Sequence, residues 1–453
     1  MNQPIPQLSG AVEAPVLLST APYISPEYAR AERDRLWLKT WLVACREEEI
    51  PRVGDFKVYE LLDQSLIVVR TGEGADDIVA YHNACRHRGR RLLQGCGKAM
   101  HFRCPYHGWQ WNLSGVNTYI QDREDWAGAL EDDKVRLQSV RTGRWGGFVF
   151  VNFDADCEPL EAFLQTVPDW LGVFETGKMR YRWRQWLKMD CNWKIAVEAF
   201  IEGYHAQTTH PQISNSGGGK VGSSAEGLHA RLYQMAAAGG GIGTGVNEKA
   251  DVDIRQIPYI GLKQAQETVW SNTTDTFVEA ARQLPELLPE GVSKEEVSRT
   301  LMETACRIDA ERGVDWPQVA PEHMMQVGIN WHVFPNTVLL PNVTFCLGFH
   351  MRPDGFNPDS SIMEVFALER YPAGEEPETK WEYRPDQVGD SWPLLIKQDF
   401  RNLAEQQAGM HSVSTQGGLR PNPVQEASVI NFGRNLADYM GDCAPQLLEP
   451  GGS

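Results

Sequence analysis

Two mixed cysteine–histidine pairs constrain this chain more than any other feature: Cys85-Arg-His87 and, after sixteen intervening residues, Cys104-Pro-Tyr-His107. Together they can offer two thiolates and two imidazoles to one inorganic centre. Zinc fingers pair like with like, cysteine with cysteine and histidine with histidine. Here each pair mixes its donors, and the first has a single residue between them. Gly89 and Gly108 follow the pairs, where tight turns would aim backbone N–H groups at sulfur. Loops on a rigid scaffold are the usual way to present such pairs, and the flanking sequence supplies one. Between about 49 and 155 the runs DFKVYELL, SLIVVRT, DIVAYHN, WQWNLSG and WGGFVFVNF alternate with Gly and Asp. They read as the strands of a small antiparallel β domain.

Mixed pairs of this kind are the ligand set of a Rieske [2Fe–2S] centre, in which two histidines replace two cysteines on one iron. Zinc is the rival occupant. The run Arg86, Arg88, Arg90 and Arg91 invites a nucleic-acid reading, but 43 Lys+Arg stand against 60 Asp+Glu, a net charge of −17. A phosphate-binding face is not expected at that balance, and the arginines are better assigned to cluster electrostatics and a protein interface. A chain of 453 residues suggests two domains. No apolar run approaches the roughly 18 residues of a membrane span, and the start MNQPIPQLSG lacks the features of a secretory signal. The expectation is a cytoplasmic protein whose seven other cysteines are unpaired thiols.

The rest of the chain reads as mixed helix and strand. Residues 26–48 suggest an amphipathic helix near a Ser25 cap, running into a strand. Helices are predicted over 160–176, 192–206, 273–311 and 393–411, and strands over 180–189, 326–349 and 361–371. Two Gly-rich stretches, Ser216–Gly222 and Gly239–Gly245, read as loops bordering a pocket. Gly241-x-Gly243-x-Gly245 lacks the strand–glycine–helix context of a nucleotide-binding loop. The fold class expected is α+β: a small antiparallel β domain, and a larger domain with an antiparallel sheet covered by helices. The boundaries are 1–48 for a helical segment packing on the larger domain, 49–156 for the β domain, and 157–453 for the larger domain with an insertion at about 213–325.

A second constellation lies in Asn192-Trp-Lys-Ile-Ala-Val-Glu-Ala-Phe-Ile-Glu202-Gly-Tyr204-His205-Ala-Gln-Thr-Thr-His210. Histidines five apart, with Pro211 next, cannot share one regular helical face. They suit a helix end and the turn after it, where they could fill two positions of a 2-His-1-carboxylate iron site. Two nearby histidines alone are more often structural. Beside a centre that delivers single electrons, they read as its acceptor.

On these motifs the chain resembles the α subunit of a Rieske non-haem iron oxygenase of the aromatic-ring-hydroxylating family, over nearly its whole length. The resemblance implies a helix-grip (START-like) larger domain. It puts Cys85 and Cys104 on one iron of the cluster and His87 and His107 on the other. It also implies a mononuclear Fe(II) on His205, His210 and an acid of the C-terminal helix, Asp399, with Glu405 and Asp390 as rival acids. An acid three residues before the first iron histidine is here Glu202; in the family it bridges to a cluster histidine of the adjacent subunit, His107, in a ring-shaped trimer. Ala199 stands where many members carry Asn, so that residue's role does not transfer. Respiratory-type Rieske proteins carry two further disulfide cysteines, and the corresponding places hold Arg90 and Tyr106.

The activity implied is that of a terminal oxygenase: NAD(P)H-derived electrons, passed by a separate reductase with or without a ferredoxin, are used with O₂ to mono- or cis-dihydroxylate an apolar, aromatic small molecule. Fifteen Trp and sixteen Phe fit such a guest. They fit a quaternary ammonium substrate equally well, and the Glu202 form of the bridge keeps that alternative open. The resemblance leaves room for a β subunit. The rival from another class is an electron carrier with a degenerate second site.

Overall fold

A computed structural model describes residues 14–74, 77–211, 220–235, 252–378, 380–387 and 389–448. The chain forms two compact units, Arg30–Phe163 and the combination of Met1–Ala29 with Leu164–Ser453.

The smaller unit is built on seven strands in the spatial order Leu42–Arg46, Phe148–Asn152, Ser139–Trp145, Ile78–His82, Gln64–Arg70, Asp55–Leu61 and Cys96–Lys98. All neighbours run antiparallel. A second, three-stranded sheet joins His101–Arg103, Gln110–Asn112 and Asn117–Tyr119. Leu66, Ile67, Val68 and Val69 are fully buried, as expected where a β-branched run packs on both faces. The helix read over 26–48 ends earlier. It covers Pro26–Glu32, tightens into a π turn over Arg33–Trp37, and gives way to the strand Leu42–Arg46. Ser25 does cap it, its Oγ accepting from the Tyr28 N–H at 3.1 Å.

The larger unit has an eight-stranded sheet in the order Val221–Glu226, His229–Gln234, Asn330–Val333, Thr337–Pro341, Phe345–Pro353, Ser361–Glu369, Arg180–Met189 and Trp381–Tyr383. Only the last pairing is parallel. Its first hairpin, 221–234, comes from the stretch read as an insertion. Helices Trp193–Glu198 and Ala427–Met440 pack on this sheet, and Leu394–Met410 packs against the first of them.

Several predicted helices are shorter than read. Gln165, in the left-handed region at φ 49°, splits 160–176 into Leu160–Leu164 and Val167–Leu171. The 273–311 stretch is two helices, Asp275–Leu287 and Lys294–Glu311, each opened by a hydroxyl cap, Thr274 or Ser293. Ile257–Val269, Pro321–Gln326 and Ala427–Met440 are helices that the sequence reading did not contain. The Gly239–Gly245 loop and residues 216–219 lie outside the described residues. Among those described, no helix is long and apolar enough to cross a membrane.

Candidate metal centres

The two Cys–His pairs of the smaller unit are one structure used twice. Cys85 N–H donates to the Arg90 carbonyl at 2.8 Å and Gly89 N–H to the Cys85 carbonyl at 2.9 Å; Cys104 N–H donates to Trp109 at 2.8 Å and Gly108 N–H to Cys104 at 3.0 Å. Gly89 and Gly108 take φ of 75° and 76°, which a side chain would oppose. Both cysteines are buried among Phe102, Trp109 and Trp111. Burial pushes the Cys85 thiol up, while the N–H groups of His87 and Arg88 at its sulfur and the neighbouring Cys104 modulate it. The two histidines are half-buried, and their Nδ1 atoms face each other at 3.1 Å. His87 stacks on Trp109, centroids 5.1 Å apart and planes within 10°. Two sulfurs and two imidazole nitrogens thus converge from opposed loops, the donor set that a two-iron cluster with mixed ligation requires.

In the larger unit, helix Trp193–Glu198 is opened by Asn192, whose side chain accepts from the Lys194 N–H at 3.1 Å. The chain then leaves the helix, and a single helical turn, Ala206–Thr209, follows. His205 stands just before that turn and His210 just after it, so the two rings meet at 5.3 Å between centroids. Asp399, on Leu394–Met410, completes the group: its Oδ1 lies 3.5 Å from His205 Nε2 and 3.0 Å from His210 Nε2. One ligand atom from each of the three lies within 4.8 Å of the others. The rival acids are elsewhere. Asp390 is fully exposed against Lys397, and Glu405 points out on an exposed part of the helix.

The outer nitrogens of both histidines are held. Glu202 Oε1 meets His205 Nδ1, while its Oε2 accepts from the backbone N–H groups of Tyr204 and His205. His210 Nδ1 meets Gln398 Oε1 at 2.9 Å. Such partners fix ring orientation and leave the Nε2 lone pairs to face inward. Burial would pull the His205 pKa down, but the carboxylates of Asp399 and Glu202 outweigh it and hold it at about 10. Two carboxylates converging on one imidazole are a place that demands positive charge.

A pocket beside the group is lined by Glu198, Glu202, His205, Asp399 and Glu426, with Ala199 and Leu403 among its apolar walls. Burial pushes Glu198 up to about 8, against the opposing effects of the Tyr23 hydroxyl and Lys194. Tyr23 donates to it at 2.5 Å. Burial also raises Glu426. Sequence reading names His205, His210, Asp399 and Glu202, and these four come together. It misses Gln398, Glu198 and Glu426. Only Gln398 left a trace, as an amide directly before the acid on the same helix.

Comparison with known proteins assigns both regions to described domains. Residues 40–125 match the Rieske [2Fe-2S] domain, and residues 174–442 match the catalytic domain of the ring hydroxylating alpha subunit. Over 195 residues the chain is 30% identical to the carnitine monooxygenase oxygenase subunit of Escherichia coli (strain K12), covering 41% of this chain and 50% of that protein. It is 31% identical over 195 residues to the glycine betaine monooxygenase oxygenase subunit of Chromohalobacter salexigens, covering 43% of each. To the biphenyl 2,3-dioxygenase subunit alpha of Rhodococcus jostii (strain RHA1) it is 32% identical over 185 residues, covering 39% of this chain and 40% of that one. The chain spans about half the length, or less, of these curated relatives. Two solved structures share its fold: the quaternary ammonium Rieske monooxygenase CntA with L-carnitine (TM-score 0.61, 16% identity, 94% of this chain and 96% of that) and a naphthalene 1,2-dioxygenase variant with phenanthrene (TM-score 0.64, 16% identity, 96% and 95%).

Proposed function

The chain belongs to the ring hydroxylating alpha subunit family, and on that premise we propose that it is a terminal oxygenase acting on a quaternary ammonium compound. Cys85, Cys104, His87 and His107 would hold the [2Fe–2S] cluster, and His205, His210 and Asp399 a single Fe(II). The observation that carries the second assignment is the inward convergence of two Nε2 atoms and one carboxylate oxygen, with both outer nitrogens already engaged. Fe(II) held by these three protein ligands would supply the reductive activation of O₂.

The work of the chain's own residues is to orient and to set charge. Glu202 holds His205 by its outer nitrogen, and in a ring-shaped trimer it would also reach the partner subunit's His107, the exit for the electron. Gln398 holds His210. Electrons enter from NAD(P)H through a separate reductase. The overall balance is one C–H, O₂, two electrons and two protons giving one C–OH and water. Where the attacked carbon adjoins the quaternary nitrogen, the carbinol loses its hydroxyl proton as the C–N bond breaks with its pair on nitrogen, releasing an aldehyde and a tertiary amine.

Two observations support a cationic substrate. The carboxyl groups of Glu202 and Glu426 line the pocket that contains His205 and Asp399, a lining that favours a positive guest. The relatives named for carnitine and glycine betaine point the same way. A second reading, hydroxylation of an aromatic ring, draws on the likeness to the biphenyl dioxygenase subunit.

The test is NADH-coupled turnover of the iron-loaded chain with a surrogate reductase. Carnitine, γ-butyrobetaine and glycine betaine are compared with biphenyl and naphthalene. Amine and aldehyde released in step with NADH consumption support the proposal. A phenol or cis-diol from the hydrocarbons alone supports the second reading. NADH oxidation without an oxygenated product of either class sinks both.

A further inference from the structure

The proposed reaction consumes two protons, and the pocket beside the mononuclear group is where they must be delivered. Among the described residues, the acids that line it are Glu198, Glu202, Asp399 and Glu426. Three of these are committed. Asp399 is turned toward both imidazoles. Glu202 meets His205 Nδ1 and accepts from the backbone N–H groups of Tyr204 and His205. Glu426 accepts from the Asn422 N–H, which opposes the effect of its burial. N–H donors favour the ionised carboxylate, so such groups are poor proton sources. Glu198 differs. It is buried, and its carboxyl meets a hydroxyl, that of Tyr23, which donates to Oε1 at 2.5 Å. A phenol can donate to a carboxylate or accept from a carboxylic acid, so this partner suits both protonation states.

A proton donor must also leave an anion that its surroundings tolerate. Lys194, fully buried one turn earlier on the same helix, favours the ionised form of Glu198, as does the Tyr23 hydroxyl; burial, Glu426 and Glu202 oppose it. Lys194 Nζ lies 5.9 Å and 5.5 Å from the ring centres of Tyr23 and Tyr28, so ammonium, phenols and acid form one buried group. The pocket also reaches Asn402 and Gln406, both exposed, a route by which solvent can return a proton.

We propose that Glu198 is the proton donor of this pocket and that Tyr23 is its positioning residue. The O–H bond of the Glu198 acid breaks and its electron pair stays on the carboxylate. The proton goes to oxygen as O₂ is reduced at the His205–His210–Asp399 group, with the electrons that the separate reductase supplies. Tyr23 and Lys194 stabilise the anion until solvent protonates it again. The inference rests on the proposed function and assigns the source of one of its two protons.

The test follows the holo chain through a single turnover. The chain is reduced beforehand, O₂ is added, and product is measured with whichever of carnitine, γ-butyrobetaine, glycine betaine, biphenyl and naphthalene the wild type oxygenates. The wild-type rate should fall as pH rises through about 8, where Glu198 would enter turnover ionised. Glu198→Gln keeps an acceptor for Tyr23 and removes the proton. Below that pH its rate should drop about tenfold or more, and the high-pH limb should disappear, while Rieske spectrum, iron content and substrate affinity match the wild type. Glu198→Asp should recover part of the rate. Tyr23→Phe withdraws a partner of the anion, so the limb should move to higher pH; a merely structural tyrosine would lower the rate equally at every pH. Independently of turnover, infrared difference spectra of the resting holo chain, taken below and above that pH, should contain a carboxylic-acid band that Glu198→Gln lacks. The inference alone is overturned if Glu198→Gln keeps the wild-type rate and limb, or if the band is the same in both. If Glu198→Gln loses its iron or its fold, the limb in Tyr23→Phe decides, and a limb that stays in place overturns the inference. A wild type that oxygenates none of the five compounds ends the proposed function and this inference with it.

Discussion

Glu202 divides one carboxylate between two tasks. Its Oε2 accepts from the backbone N–H groups of Tyr204 and His205 and so shapes the turn, while its Oε1 holds His205 Nδ1. Glu202→Gln keeps an oxygen for the turn and removes the charge. The expected outcome is a chain with an intact Rieske spectrum and full iron content, whose turnover falls on the order of a hundredfold. Turnover near the wild-type rate would remove the bridge from the mechanism. Gln398 makes a cleaner case, because its 2.9 Å contact is with the outer nitrogen of His210. Gln398→Ala should weaken iron binding at the mononuclear site by about 10- to 100-fold. An Fe(II) titration monitored by recovered turnover measures it, and Gln398→Glu, which keeps an acceptor at that position, should restore most of the affinity.

At the scale of elements, the ligand-bearing pieces are tied together by buried polar groups. Asn192 N–H donates to Gln407 Oε1 at 2.8 Å, and the side chains of both residues donate to the Tyr23 carbonyl at 3.1 Å. This links the start of Trp193–Glu198 to the helix that carries Asp399. At the other end of the short helix sits Glu198, under the Tyr23 hydroxyl. Burial lifts its pKa from 4.5 to about 8, so the folded chain holds a proton that the unfolded chain releases. The resulting stabilisation is complete below about pH 4.5 and is lost as pH rises through about 8. Thermal unfolding should therefore move to lower temperature across that window, by about 2–4 °C for each kcal/mol lost. Glu198→Gln should flatten part of the slope. Burial raises Glu369 and Glu426 in the same sense, so it is the difference between variant and wild type that isolates Glu198. Equal slopes in the two would show that Glu198 is ionised in the fold.

The same elements show what a sequence can and cannot disclose. The knuckles and the histidine pair were legible because each packs its chemistry into a few adjacent residues with a turn residue beside them. Ala427–Met440 was not, because its inner face is partly polar: Asn431 and Asn435 donate to the Gly227, His229 and Leu228 carbonyls of the 221–234 hairpin. Buried amides disguise the periodicity that marks a helix. The break at Gln165 was equally silent, since nothing local requires a glutamine to turn left-handed. Asp399 could be named only by resemblance; in the fold, its burial at 7% exposure and its two imidazole neighbours separate it from Glu405 and Asp390.

For the molecule as a whole, the two candidate centres differ in how they are enclosed, and that difference predicts how iron is lost. Cys85 and Cys104 sit 5% and 1% exposed inside an aromatic cluster of the smaller unit, so extracting their iron means opening that core. His205 is one-quarter exposed, and its group borders an open pocket. An anaerobic chelator such as bipyridyl should therefore strip the mononuclear site first. A preparation with about three iron atoms per chain, two in a cluster and one alone, should fall to about two while its Rieske absorption persists. Turnover should vanish with that single iron. Fe(II) should restore it, while Zn(II), which fills the same donors but has no redox chemistry, should occupy the site and leave the chain inactive. A starting content of two irons, with no loss of function on chelation, would instead make this chain a carrier. The His205–His210–Asp399 group would then be a packed polar cluster, and electron delivery its whole task.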